Sequence, residues 1–245
     1  MYNYTQSDIE LIDNLLDLLS KDSEQKLPKN LSLQDKRFFV DAYILIRSCG
    51  DVNENIFKLQ DRLLFKENDS KIFDLSNVKF RKNIANINGN FAFVPADLAI
   101  VFSNNLLTNS NPLDYCVDNN IIKYGGLQIK EELSKIFIEN GQVLSYVMPY
   151  IVNGHNLASK FVAKVLLPVI NTEISLEFKN TLICNLQNVF KYAKENNLKT
   201  ISVNLCFPSC YDYKLVSNIV VEECKKLNKQ NKLKARLIFI NNQTQ

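Results

Sequence analysis

The 245-residue sequence has no tryptophan, one histidine and six glycines, none of them after Gly154. Each shortage excludes something. With His155 alone, a mechanism that needs two histidines is unavailable, including a two-histidine metal centre. The missing glycines matter because the stretch after Gly154 reads as alternating strands and helices. Such folds usually hold phosphates at glycine-bearing strand-to-helix turns, where the backbone comes close to the ligand. The most exposed candidate turn in that stretch is Phe207-Pro208-Ser209-Cys210. No apolar run reaches the length of a membrane span. Met1-Tyr2-Asn3-Tyr4-Thr5 lacks the basic region and apolar core of a secretory signal. The expectation is a cytoplasmic protein with no membrane partner. The net charge of +3 is small and dispersed, and does not call for nucleic acid.

Six cysteines are present: Cys49, Cys116, Cys184, Cys206, Cys210 and Cys224. In a chain of this size without a signal they read as reduced thiols. Cys184 and Cys224 fall in apolar helical patterns and read as core.

Residues 1–68 predict a helical extension. Ser7-Asp8 is placed to cap a helix carrying Ile9, Ile12, Leu15, Leu16 and Leu19. Ser32 caps a second helix that ends near Cys49-Gly50, and Ile56, Leu59, Leu63 and Leu64 mark a third. Their apolar faces must pack on the rest of the chain. Residues 69–245 predict an α/β domain. Leu98–Phe102, Val143–Val147, Lys160–Leu167, Thr200–Leu205 and Ala235–Ile240 read as strands. Residues 104–115 read as a loop, and helices follow Gly125-Gly126, span about 175–195 and span about 214–227. The alternation implies a layered fold with a mixed sheet and helices on both faces.

Several strings in order resemble the macro domain family, specifically the zinc-containing macro domains found beside certain sirtuins. They are Ala42-Tyr43-Ile44-Leu45-Ile46-Arg47 and Leu59-Gln60-Asp61 in the extension, then Ala99-Ile100-Val101, Cys116-Val117-Asp118-Asn119 and Gly125-Gly126-Leu127-Gln128-Ile129. Asn156 to Val162, Pro168-Val169 and Leu198-Lys199-Thr200-Ile201 complete the series. The resemblance implies a three-layer α/β/α macro fold with a mixed central sheet and a helical N-terminal extension. It also implies an ancestral ADP-ribose site and protein ADP-ribosyl hydrolase chemistry.

Residue by residue, the resemblance puts Asp118 where family members keep an acidic group near the scissile ribose. There a carboxylate orients or deprotonates water. It puts the ligand-binding asparagine at Asn104 or Asn105 in a shortened loop, with Asn119, Ser209 and Tyr211 also facing ligand. The departures are heavy. The turn whose aspartate reads adenine falls at Asn90-Phe91-Ala92-Phe93, and phenylalanine accepts no hydrogen bond from an amine. Of the zinc-loop ligands only Cys116 remains, Asn109 and Asp114 occupying the other two positions, so no zinc is expected. The phosphate loop falls at Phe207-Pro208-Ser209, and proline removes a backbone donor.

The expected function is a degenerate macro domain, a binding or scaffolding module that holds ADP-ribose or ADP-ribosylated protein weakly. The alternative is an active hydrolase that uses Asp118 without zinc. Asp118 also suits a helix N-cap. Tyr211 and Phe207 suit either stacking on a ligand or closing the core. Phe91, Phe93 and Phe207 in one crevice would offer a protein partner an apolar surface. Cys116, Cys206, Cys210 and His155 lack a familiar metal spacing and read as separate side chains. The lysines from Lys225 to Lys234, with Arg236, read as a solvated face interrupted by Glu222 and Glu223.

Overall fold

The structure, a computed structural model, describes residues 3–23, 30–47, 54–103, 117–168, 175–208 and 210–241. Three helices come first: α1 (Gln6–Ser23), α2 (Leu33–Arg47) and α3 (Glu54–Asp69). The α/β part follows as β1 (Ile84–Asn88), β2 (Ala96–Ser103), α4 (Val117–Gly125), α5 (Leu127–Glu139), β3 (Tyr150–Asn153), β4 (Ser159–Leu166), α6 (Leu176–Glu195), β5 (Thr200–Asn204), α7 (Tyr213–Gln230) and β6 (Arg236–Asn241). The six strands order as β1-β6-β5-β2-β4-β3. All neighbours are parallel except β3, which pairs antiparallel with β4. The sheet is therefore mixed, as expected.

Each strand divides its side chains between two cores, as the period of two demands. On one face Ile201, Val203, Leu237 and Phe239 meet Phe178, Leu186 and Phe190 of α6 and Val216 and Val220 of α7. On the other, Ala99, Val101, Ile238 and Ile240 meet Ile121 of α4, Ile129 and Leu133 of α5, and Phe91. The three layers follow from that division.

A third core joins the extension to this body. Leu11, Ile12, Leu15, Leu16 and Leu19 of α1, Val40 and Leu63 pack with Ile122 of α4 and Leu127 of α5. Consecutive residues Ile121 and Ile122 thus serve two cores.

Three expectations change. The strand predicted at Val143–Val147 is irregular chain, and the strand is Tyr150–Asn153. Ser145 N–H donates to the Tyr150 hydroxyl at 2.7 Å and Met148 N–H to Ser145 Oγ at 3.0 Å. These local side-chain bonds offer the backbone an alternative to a ladder. β1 was not anticipated, because Asn86 and Asn88 interrupt its apolar pattern; it is an edge strand with those residues outward. The cap of α1 is Thr5, not Ser7-Asp8: Asp8 N–H donates to Thr5 Oγ1 at 3.4 Å, and Thr5 N–H donates back to Asp8 Oδ2 at 2.9 Å. That is a reciprocal capping box.

Candidate functional site

In parallel sheets ligands bind beyond the carboxyl ends of the strands. Here that edge is rich in amides. Asn88 closes β1 in register with Asn241 of β6, and Asn204 closes β5 opposite Ile240. Gly89 N–H donates to the Asn241 carbonyl at 3.2 Å, and the Asn90 side chain accepts from Ala92 N–H at 3.0 Å. The Tyr213 hydroxyl donates to Asn241 Oδ1 at 3.2 Å. The edge offers neutral donors and acceptors.

Asn204 stands out. It is 1% exposed, and both polar atoms of its carboxamide lack a partner. Ser202, two residues earlier on the same face, has an unpartnered hydroxyl. Buried polar groups of this kind are uncommon, because each costs free energy. No motif in the sequence marked Asn204, which ends a strand that alternates polar Thr200 and Ser202 with apolar Ile201 and Val203.

The turn after β5 is packed with rings. Phe207 lies 5.1 Å from Phe102 and 6.0 Å from Tyr213, centroid to centroid. Pro208 follows and is buried, and its carbonyl accepts from Tyr211 N–H at 3.0 Å. Tyr211 is 6% exposed. Its hydroxyl donates to the Pro168 carbonyl at 2.8 Å and lies 3.2 Å from that of Leu167. Its ring sits 5.8 Å from Phe178. Burial raises its pKa above the ordinary tyrosine value. Tyr211 therefore ties the end of β4 to the loop after β5.

Of the other site residues, Asp118 and Asn119 occupy the first turn of α4. Asp118 is the second residue of that helix. Asn104, Asn105 and Ser209 lie outside the described residues, as do Asn109, Asp114 and Cys116, which the resemblance sets at zinc-ligand positions. One thiol, one amide and one carboxylate do not fit a zinc site. Among the described residues no group of three His, Cys, Asp or Glu side chains could hold a metal ion. Cys206 packs beside the second core, Cys210 is exposed, and His155 Nε2 is 2.9 Å from Glu132 Oε1 in the turn between β3 and β4. Among the described residues no helix is long and apolar enough to cross a membrane.

The apolar crevice needs correction. Phe91 is 1% exposed and belongs to the core. Phe93 is half-buried, edge-on to Tyr124 at 5.0 Å, with the Lys71 ammonium 5.4 Å from its ring centre. Phe91 is therefore not free to line an open surface with Phe207.

A second polar cluster was not foreseen as one unit. The Asp61 carboxylate of α3 accepts from Asn156 Nδ2 at 2.9 Å and from Gln128 Nε2 of α5. Asn68 Nδ2 donates to the Tyr124 carbonyl at 2.7 Å and the Asn156 carbonyl at 2.8 Å. Burial raises the Asp61 pKa, opposed by the Asn156 bond and the nearby His155. Its signals were the separate strings Leu59-Gln60-Asp61, Gly125 to Ile129 and Asn156 to Val162.

Comparison with known proteins places this geometry. The Macro domain family profile matches residues 104–214. A "Protein GDAP2 homolog" of Drosophila melanogaster is 32% identical over 117 residues, which is 47% of this chain and 20% of that protein. The match thus spans about a fifth of that relative's length. Among solved structures, a Trypanosoma brucei macrodomain superposes with a TM-score of 0.59 at 12% identity, over 89% of this chain and 91% of its own. A Trypanosoma brucei macrodomain in complex with ADP-ribose gives 0.55 at 12% identity, over 98% and 90%.

Proposed function

We propose that this chain carries a macro domain and that it is a non-catalytic module that holds ADP-ribose, free or attached to protein, with weak affinity. The first part supplies the ligand class, since a macrodomain of the same fold is known in complex with ADP-ribose. The observation that carries the weak, non-catalytic part is the turn after β5. Phe207 packs on Phe102 and Tyr213 where a phosphate cradle needs backbone N–H groups, and Pro208 has none to give. A carboxylate at Asp118 gains little without the groups that fix the substrate against it. The amide-rich strand ends still support recognition of a neutral, hydroxyl-bearing ligand part such as a ribose.

From a micromolar starting point of about −8 kcal/mol, losing two charge-assisted bonds of about 1.5 kcal/mol each leaves a Kd of about 100 µM or weaker. Incubating ADP-ribosylated protein with wild type and Asp118→Asn tests the catalytic half. Both release no ADP-ribose above background under this reading. Release by wild type that disappears in Asp118→Asn contradicts it and favours the zinc-independent hydrolase.

A further inference from the structure

We propose that the N-terminal helical extension is a positioning element of the ligand site, acting by pinning the far end of α4. The inference rests on the reading above only in taking the first turn of α4 as part of that site. α4 has nine residues and is about 13 Å long at about 1.5 Å per residue. Asp118 and Asn119 stand at one end. The other end, Tyr124 to Gly126, is held from α3.

The hold is specific. Asn68 spends both amide hydrogens on carbonyls that α4 and the β3–β4 turn present, at 2.7 and 2.8 Å. Gly126 N–H closes α4 on the Ile122 carbonyl at 2.9 Å, and Gly126 then turns with a φ of 92° to start α5. A Cβ on Gly126 would stand 2.8 Å from Asp61 Oδ1, so the carboxylate rests directly over this turn. Asp61 also accepts from Asn156 and Gln128, joining α3, the α4–α5 turn and the β3–β4 turn at one point. Ile122 and Leu127 on either side are buried in the core of the extension. Lys123 of α4 lies 3.9 Å from Asp41 of α2, and Asp41 is 2.7 Å from Arg37. A short helix seated in two cores and pinned at its last turn has little freedom at its first.

The test uses the full chain with Asn68→Ala, and with Gln128→Leu should Asn68→Ala fail to fold. Val189→Ala in α6, on the opposite face of the sheet, controls for destabilisation alone. Hydrogen exchange reads the backbone of residues 121–123, whose N–H groups donate to the carbonyls of the first turn, and calorimetry reads ADP-ribose, at a temperature where every variant is folded. The pinning variant exchanges about tenfold faster at 121–123 and binds about tenfold more weakly, the change that two ordinary hydrogen bonds support. Val189→Ala lowers the unfolding temperature and changes neither. Unaltered exchange at 121–123 in the pinning variant, or an equal effect from Val189→Ala, overturns the proposal. Wild type without detectable ADP-ribose binding removes the function proposed above, and the exchange result then decides the pinning alone.

Discussion

Replacing Arg37 by alanine removes the centre of the charge network that fastens α2 to α3. Arg37 Nε and Nη2 each lie 2.8 Å from a Glu67 oxygen, and Nη1 lies 2.7 Å from Asp41 Oδ1. The side chains of Arg37 and Glu67 are 13% and 6% exposed, so this pair is shielded from solvent. Breaking a buried pair from one side typically costs about 3–5 kcal/mol, because the remaining charge stays buried without its partner. The Tyr4 hydroxyl still donates to Glu67 at 2.6 Å, which favours the low end, about 3 kcal/mol. For a chain of this size that lowers Tm by about 6–12 °C. The double variant Arg37→Met, Glu67→Leu strands no Glu67 charge and so loses less than Arg37→Ala, although Asp41 keeps only Lys123, 3.9 Å away. Urea unfolding and calorimetry measure both. A loss below about 1 kcal/mol for Arg37→Ala would mean the pair behaves as an exposed one, and the burial argument fails.

Two further outcomes follow from the same physics. In the folded chain burial pulls the Glu67 pKa up, but the bonds and charge of Arg37, with the Tyr4 bond, outweigh it and hold the pKa below the ordinary 4.5. The stability this contributes is present above about 4.5 and is lost as pH falls through the folded value. The gap in unfolding free energy between wild type and Glu67→Gln therefore narrows as pH drops from 7 towards 3; a gap that stays constant refutes the assignment. Asn204→Leu, which removes an amide with no partner, raises stability by about 1 kcal/mol in thermal unfolding; a lowered Tm would show that the amide is satisfied in the folded protein.

Most of the layered architecture was legible because apolar period and cap chemistry agreed. The helix of Ser175–Glu195 and the strands at Lys160, Thr200 and Ala235 lie where spacing placed them, and Ser175 and Asp212 cap α6 and α7 with their side chains. What was lost had a physical cause. In β1 the outward asparagines left too few apolar residues to mark an edge strand, and at Val143–Val147 three exposed apolar side chains imitate one. The site was legible in type more than in arrangement. Tyr211 and Phe207 were singled out as aromatics at a strand end, but only the fold places the Tyr211 hydroxyl on the carbonyls of Leu167 and Pro168. The Asp61 cluster was invisible as a unit because its members come from positions 61, 68, 124, 128 and 156, and sequence spacing carries no information about side chains brought together by tertiary packing.

Isothermal titration of the purified chain with ADP-ribose bears most directly on the proposal that the chain has kept the ligand class and lost the phosphate cradle. The expected isotherm is saturable, with a Kd of about 100 µM or weaker. A low-micromolar Kd would mean that the Phe207-Pro208 turn opens to wrap the pyrophosphate after all, and no heat of binding at millimolar ligand would mean that the macro fold here no longer serves ADP-ribose.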